Sequence, residues 1–219
     1  MVLKEIKERY STRSFSDSQP SDKQISEILE AARLAPSWMN VQPWQFIVIK
    51  EKETRELLSK LSHGQPHVTN APVVIACCGD LSAWETEKFK KTLQSRPGIT
   101  EDKINALLSN PTYNQKLKGN NAIIYRTIEE LTYSIAYMTI EAKGLGLDTC
   151  IVGAIGNDLT ESVPEVYQQV RQKLNLPDHV ILIALLLVGY SSSELKNPPK
   201  LRKDAEEIFS FEKYGKKNA

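Results

Sequence analysis

Cysteine is scarce in this sequence. Only Cys77, Cys78 and Cys150 occur, an odd number with two of them adjacent. That excludes a small disulfide-stapled fold and predicts free thiols in a reducing compartment. An excess of either charge is also lacking, since 28 Lys and Arg stand against 27 Asp and Glu. No broad field exists to gather nucleic acid or an acidic membrane surface, so neither is expected as a partner. Long apolar runs are missing. The longest, Val180 to Val188, falls far short of the roughly 20 residues that cross a bilayer, and reads as a buried strand. The opening Met1-Val2-Leu3-Lys4-Glu5 has no apolar stretch of the signal-peptide kind, so a cytoplasmic location is expected.

Patterns that carry chemistry are sparse as well. No Gly-x-Gly-x-x-Gly fingerprint for a dinucleotide pyrophosphate is present. No nucleophile stands at a recognisable spacing from a base. His63 and His67 are four apart, but Gly64 and Pro66 interrupt the helix a metal pair needs, so no metal is expected. Cys77-Cys78 lies in an apolar, strand-like run that predicts buried, inert thiols, and Cys150 reads as a packing residue. A chain this poor in reactive side chains leaves the hard chemistry to a cofactor.

What is present fits an ordinary globular domain. With 219 residues, 41% hydrophobic and 25% charged, the chain reads as one domain, 1–219, with a full core. Leu3, Ile6 and Tyr10 are spaced for one face of a first helix. Ser21-x-x-Gln24 has the form of a capping box, followed by Ile25, Ile28, Leu29 and Ala32 on one helical face. Gln45 to Lys50, Val73 to Cys78 and His179 to Val188 read as strands. Trp84 to Lys118 is helical but broken at Pro97-Gly98 and Asn110-Pro111. Asn121 to Lys143 predicts a long helix ending at Gly144, and Pro164 opens another that runs to Leu174. The tail from Lys196 to Ala219 carries Ile208, Phe209 and Phe211, which need a surface to cover.

The densest signal is the loop Ala35-Pro36-Ser37-Trp38-Met39-Asn40-Val41-Gln42-Pro43-Trp44-Gln45-Phe46. Pro36 and Pro43 stiffen it, while Ser37, Asn40 and Gln42 offer neutral donors and acceptors. Such a loop suits a flat heteroaromatic with acceptors along one edge, such as a flavin. It also suits a plain connector whose polar groups satisfy only their own backbone. Two basic clusters flank the chain: Arg9-Tyr10-Ser11-Thr12-Arg13 and Pro198-Pro199-Lys200-Leu201-Arg202. Forked Arg donors with a Ser hydroxyl match a phosphate monoester, although each cluster alone also reads as a solvated patch. Lys200 and Arg202, two apart after the prolines, would point to one side of an extended segment.

In this arrangement the sequence resembles the FMN-dependent nitroreductases nearly end to end. The resemblance rests on five pieces in order: Arg9-x-Ser11-x-Arg13-x-Phe15, Pro36-Ser37-x-x-Asn40-x-Gln42-Pro43-Trp44, Gly144-Leu145-Gly146-Leu147-Asp148-Thr149-Cys150-Ile151-Val152-Gly153-Ala154, Val188-Gly189-Tyr190, and Lys200-x-Arg202-Lys203 with Phe211-x-x-Tyr214-Gly215. The resemblance implies an α+β fold, an α-β-α sandwich whose central, mostly antiparallel sheet is flanked by helices. It implies a homodimer whose C-terminal tail, 196–219, is exchanged between subunits, and a variable helical segment, 84–118, near the pocket.

Arg9, Ser11, Arg13, Lys200 and Arg202 would then hold the FMN phosphate. Pro36, Ser37, Asn40 and Gln42 would line the ring from the partner subunit, Gly153 and Ala154 would approach its N5 region, and Gln65 its polar edge. NADH or NADPH would deliver a hydride to the flavin, and a nitroaromatic, quinone or flavin would accept electrons in the same place by ping-pong turnover. Trp38 departs from the family pattern, which commonly has a small Ser there. Trp84, Phe89, Tyr113 and Tyr125 are candidate pocket aromatics or ordinary core residues. The rival readings are a flavin-storing protein, a specialised relative such as a dehalogenase, a flavin-destroying enzyme or a dehydrogenase of peptide heterocycles, and a thiol enzyme using Cys150.

Overall fold

A computed structural model describes residues 1–192 and 200–217. The Pro198-Pro199 pair and the ends of the expected tail segment, 196–199 and 218–219, lie outside the described residues. Four strands, β1 (Trp44–Ile49), β2 (Val73–Asp80), β3 (Asp148–Val152) and β4 (Val180–Gly189), form one sheet in the order β1-β2-β4-β3. Every neighbouring pair is antiparallel, as the resemblance implied. The central strands β2 and β4 are apolar on both sides because both faces are covered.

On one face Val74, Ala76, Leu185 and Leu187 pack against α3 (Lys52–Leu61), α4 (Pro66–Asn70) and α8 (Pro164–Lys173). On the other, Val73, Ile75, Leu186 and Val188 meet α2 (Asp22–Arg33) and α7 (Asn120–Gly144). The result is a helix-sheet-helix sandwich. A third cluster, built on Trp84, Phe89, Leu93 and Ile104, joins α5 (Thr86–Gln94) and α6 (Glu101–Ser109). Trp84 and Phe89 are fully buried, so they are core residues of this helical excursion and not pocket aromatics.

Local chemistry sets the element ends. The Ser21 hydroxyl accepts from the Gln24 N–H, and the Gln24 side chain accepts from the Ser21 N–H, completing the box that opens α2. The first helix, α1 (Lys4–Glu8), is one short turn, so Leu3 and Tyr10 fall outside it, contrary to the expected face. The chain then leaves the helix and lies across the sheet. Thr12 N–H donates to Thr149 O at 3.0 Å, Ser16 N–H to Tyr190 O at 2.9 Å, and Ser192 N–H to Ser14 O at 3.1 Å. Gly189 permits this close passage, since a Cβ there would sit 2.9 Å from Phe15 and 2.6 Å from Pro72.

Ile183 marks an irregularity. Cys77 pairs with Ala184 and Cys78 with Leu182, so Ile183 is the extra residue of a β-bulge in β4. The buried Cys78 thiol is pushed up to about 12 and Cys77 higher still, which keeps both protonated and inert. Among the described residues no helix is long and apolar enough to cross a membrane, and no group of His, Cys, Asp and Glu could hold a metal ion.

Candidate functional site

A groove of about 430 Å³ opens where β3 ends and α7 crosses the sheet. Its walls are Arg9 and Ser11 from the N-terminal segment, Thr149, Ile151 and Gly153 from β3 and its exit, and Ile183 and Ala184 from β4. The fourth side is a stripe of α7: Thr132, Ile135, Ala136 and Thr139. The bulge explains Ile183, because the extra residue turns its side chain out of the regular alternation. The volume is within the ordinary range for cofactor sites.

Arg9, in the groove wall, belongs to a group of neighbouring cations. Partial burial, then the like charges of Arg9, Arg202 and Lys143, hold the Lys200 ammonium below its ordinary range. Lys200 also donates to the Lys7 carbonyl. Lys143 is paired with Asp148 at 2.9 Å and lies 5.9 Å from the Tyr10 ring centroid. Cations gathered this closely repel one another, and a dianionic phosphate would relieve them. Arg13 is not among the residues that line the groove, and its charge falls on His67 of α4 and, with that of Arg9, on Cys150. Burial and then Arg13 push the His67 imidazole down, and its buried Nε2 has no hydrogen-bond partner among the described residues. Gln65, the N-cap of the same helix, is half-buried. Burial raises the Cys150 thiol despite the two arginines, so it is no ready nucleophile.

Gly153 and Ala154 are exposed at the exit of β3. A Cβ built on Gly153 would meet no protein atom within 4 Å, so its side of the groove is open space. That bare backbone leaves room for the close approach of a flat ring. The cations around Arg9, the flat apolar floor at Ile183 and Ala184, and the bare glycine together fit FMN.

The 35–46 loop lies apart from this groove within one chain. Pro36, Ser37, Asn40 and Gln42 belong to a turn packed on the helical excursion, and none of them lines the groove among the described residues. Met39, Asn40 and Gln42 all have positive φ, at 50°, 61° and 50°. Asn tolerates the left-handed region, whereas Met and Gln store strain that surrounding contacts must hold. Gln42 N–H donates to Ser37 Oγ at 3.0 Å and Gln42 Nε2 to Asn40 Oδ1 at 3.1 Å. Trp38 turns away to the excursion, stacked on Tyr113 at 6.4 Å between centroids.

Several site residues escaped the sequence reading. Thr132, Ala136 and Thr139 had a signal, being small or hydroxylated residues three and four apart on a helix otherwise rich in large apolar ones. Lys143 had one in its place just before the Gly144 motif. Ile183 had none, because a bulge leaves no trace in an apolar run.

The profile of the "Nitroreductase family" matches residues 6–190. An FMN reductase [NAD(P)H] of Bacillus subtilis is 26% identical over 205 residues, covering 93% of this chain and 71% of that one. A protein named NADH dehydrogenase from Thermus thermophilus is 29% identical over 186 residues, 85% of this chain and 84% of its own. Among solved structures, a putative nitroreductase of Bacillus subtilis superposes with a TM-score of 0.79 at 20% identity, covering 94% of this chain and 96% of that one. A nitroreductase-like protein of Streptococcus mutans gives 0.78 at 23% identity with the same coverage. The helix-sheet-helix sandwich is therefore shared, and with the profile spanning most of its length this chain belongs to the nitroreductase family.

Proposed function

We propose that this protein is an NAD(P)H-dependent FMN oxidoreductase that reduces an electron-poor small molecule, such as a nitroaromatic, a quinone or a free flavin. The observation that carries the reading is the groove with Arg9 and Ser11 in one wall and bare Gly153 in another, Arg9 being one of a group of like charges with Lys200, Arg202 and Lys143. FMN-named and NAD(P)H-named relatives support the cofactor and donor. Bound FMN would supply the hydride and electron-transfer chemistry.

The chain's own residues bind and orient. Arg9, Ser11, Lys200 and Arg202 hold the phosphate, while Arg13 serves the end near Gln65 and His67. Ile183, Ala184 and the α7 stripe form the apolar wall that excludes water. Pro36, Ser37, Asn40 and Gln42 complete the site of a second copy, since they lie outside the groove of their own chain. Donor and acceptor share one groove and occupy it in turn, which gives ping-pong kinetics. Three free, buried cysteines suit a reducing cytoplasm.

The test is direct. Flavin released by heat from the purified protein should run as FMN, and anaerobic NADH or NADPH should bleach its absorbance within the time of a turnover. FAD, or no flavin after reconstitution, defeats the reading. Bound FMN that no nicotinamide donor bleaches would make the protein a flavin carrier.

A further inference from the structure

Glu130 is a carboxylate with almost no access to water, 1% exposed in the middle of α7. Burial raises its pKa, opposed by the Trp38 N–H and the Arg126 cation. Its Oε2 accepts from the Trp38 backbone N–H at 2.9 Å, across 92 residues of sequence. Trp38 opens the turn that holds Ser37, Asn40 and Gln42. The indole has further contacts: Arg126, one turn before Glu130 on α7, lies 4.9 Å from the ring centroid, and Tyr113 stacks on it with its carbonyl accepting from Trp38 Nε1 at 3.4 Å.

A buried acid is costly unless something uses it. Here it meets the start of a turn with three left-handed residues, two of them, Met39 and Gln42, strained and in need of outside contacts. The next turns of α7, Thr132 to Thr139, line the groove. One rigid helix therefore carries both a wall of its own groove and the anchor of the loop.

We infer that Glu130 is the positioning residue of the flavin loop, its carboxylate fixing the Trp38 amide and with it the Ser37–Gln42 turn. This rests on the proposed role of that turn in FMN binding. The requirement is reach: an acceptor at the length of a Glu side chain. Glu130→Gln keeps the acceptor, whereas Glu130→Asp keeps the charge one methylene short. Ser134→Ala is the control, a buried hydroxyl on the same helix that among the described residues bonds only to Leu131 O at 2.8 Å.

FMN affinity should be read by flavin fluorescence, and the Trp38–Tyr113 stack by near-ultraviolet circular dichroism of the apoprotein, with Trp38→Phe assigning the signal. Glu130→Gln and Ser134→Ala should keep affinity close to the parent. Glu130→Asp should lose about tenfold, the scale of one hydrogen bond, together with the Trp38 signal. Parental affinity in Glu130→Asp, or an equal loss in Glu130→Gln, overturns the inference.

If Glu130→Asp does not fold, amide exchange in the parent protein decides. A Trp38 amide protected like those of α7 supports the anchor, and one exchanging as fast as Met39 refutes it. Failure of the parent to bind FMN would instead defeat the flavin reading, and dichroism and exchange would still show whether Glu130 holds the turn.

Discussion

At the scale of single residues, the groove makes sharp demands. A Cβ on Gly153 meets no protein atom, so Gly153→Val should fold with little change in Tm yet lose FMN, because the side chain fills the cofactor's space. Unchanged FMN affinity in that variant would place the cofactor elsewhere. The two arginine environments separate in the same way. Arg202 lies with Lys200 and Arg9, so Arg202→Ala should weaken FMN by about 1.5–3 kcal/mol and leave riboflavin nearly untouched. The charge of Arg13 falls on His67, so Arg13→Ala should weaken FMN and riboflavin alike. A loss confined to FMN would return Arg13 to the phosphate. His67 adds a pH signature. Burial first, and Arg13 second, hold its pKa below 6.5, so the folded state keeps it neutral. The unfolded chain binds the extra proton, so apoprotein stability should fall as pH drops from about 6.5 through the lower folded value. Tm measured against pH should lose part of that slope in His67→Gln, and an unchanged slope would show that other groups set it.

At the scale of elements, patterns that repeat were legible and those that depend on distant partners were not. The capping box at Ser21, the breaks at Pro97-Gly98 and Asn110-Pro111, and the long helix to Gly144 are local chemistry, and they stand within a residue or so of where periodicity places them. β3 was hidden because its five residues sit inside a motif read for its glycines, and it is a strand by virtue of pairing with β4. α4 was hidden because five residues opening at Pro66 leave too short a period to see. Of the candidate site, Arg9, Ser11 and Gly153 were legible and do meet in one groove. The α7 stripe and Ile183 were not, since a wall assembled from a helix face and a bulge exists only once the sheet forms. The 35–46 loop was conspicuous for its residues, but its anchor lies 92 positions away on α7.

At the scale of the whole molecule, many large apolar side chains stand exposed. Leu3 and Ile6 near α1, Tyr133 and Tyr137 on α7, Ile151 at the β3 edge, and Ile208, Phe209 and Phe211 of the tail are all large and exposed. Exposed apolar side chains in this number suit an interaction surface better than open water. β1 is an edge strand, unpaired on its outer side among the described residues, with a groove beside it formed by Ile47, Ile49, Thr54 and Leu174. Such an edge invites an added strand. We propose that a second copy covers these surfaces, with each tail passed to the partner and each 35–46 loop completing the partner's groove. Each apolar side chain left in water would forfeit about 1.5–3 kcal/mol, so the dimer and the fold should be strongly linked. Light scattering at low concentration should give a mass near twice 24.7 kDa, and Tm should rise with protein concentration. Deleting residues 198–219 removes Lys200, Arg202 and the apolar tail in one step, so it should cost FMN affinity and the dimer together. A truncated monomer that still held FMN tightly would leave both the exchanged tail and the phosphate role of Lys200 and Arg202 without support.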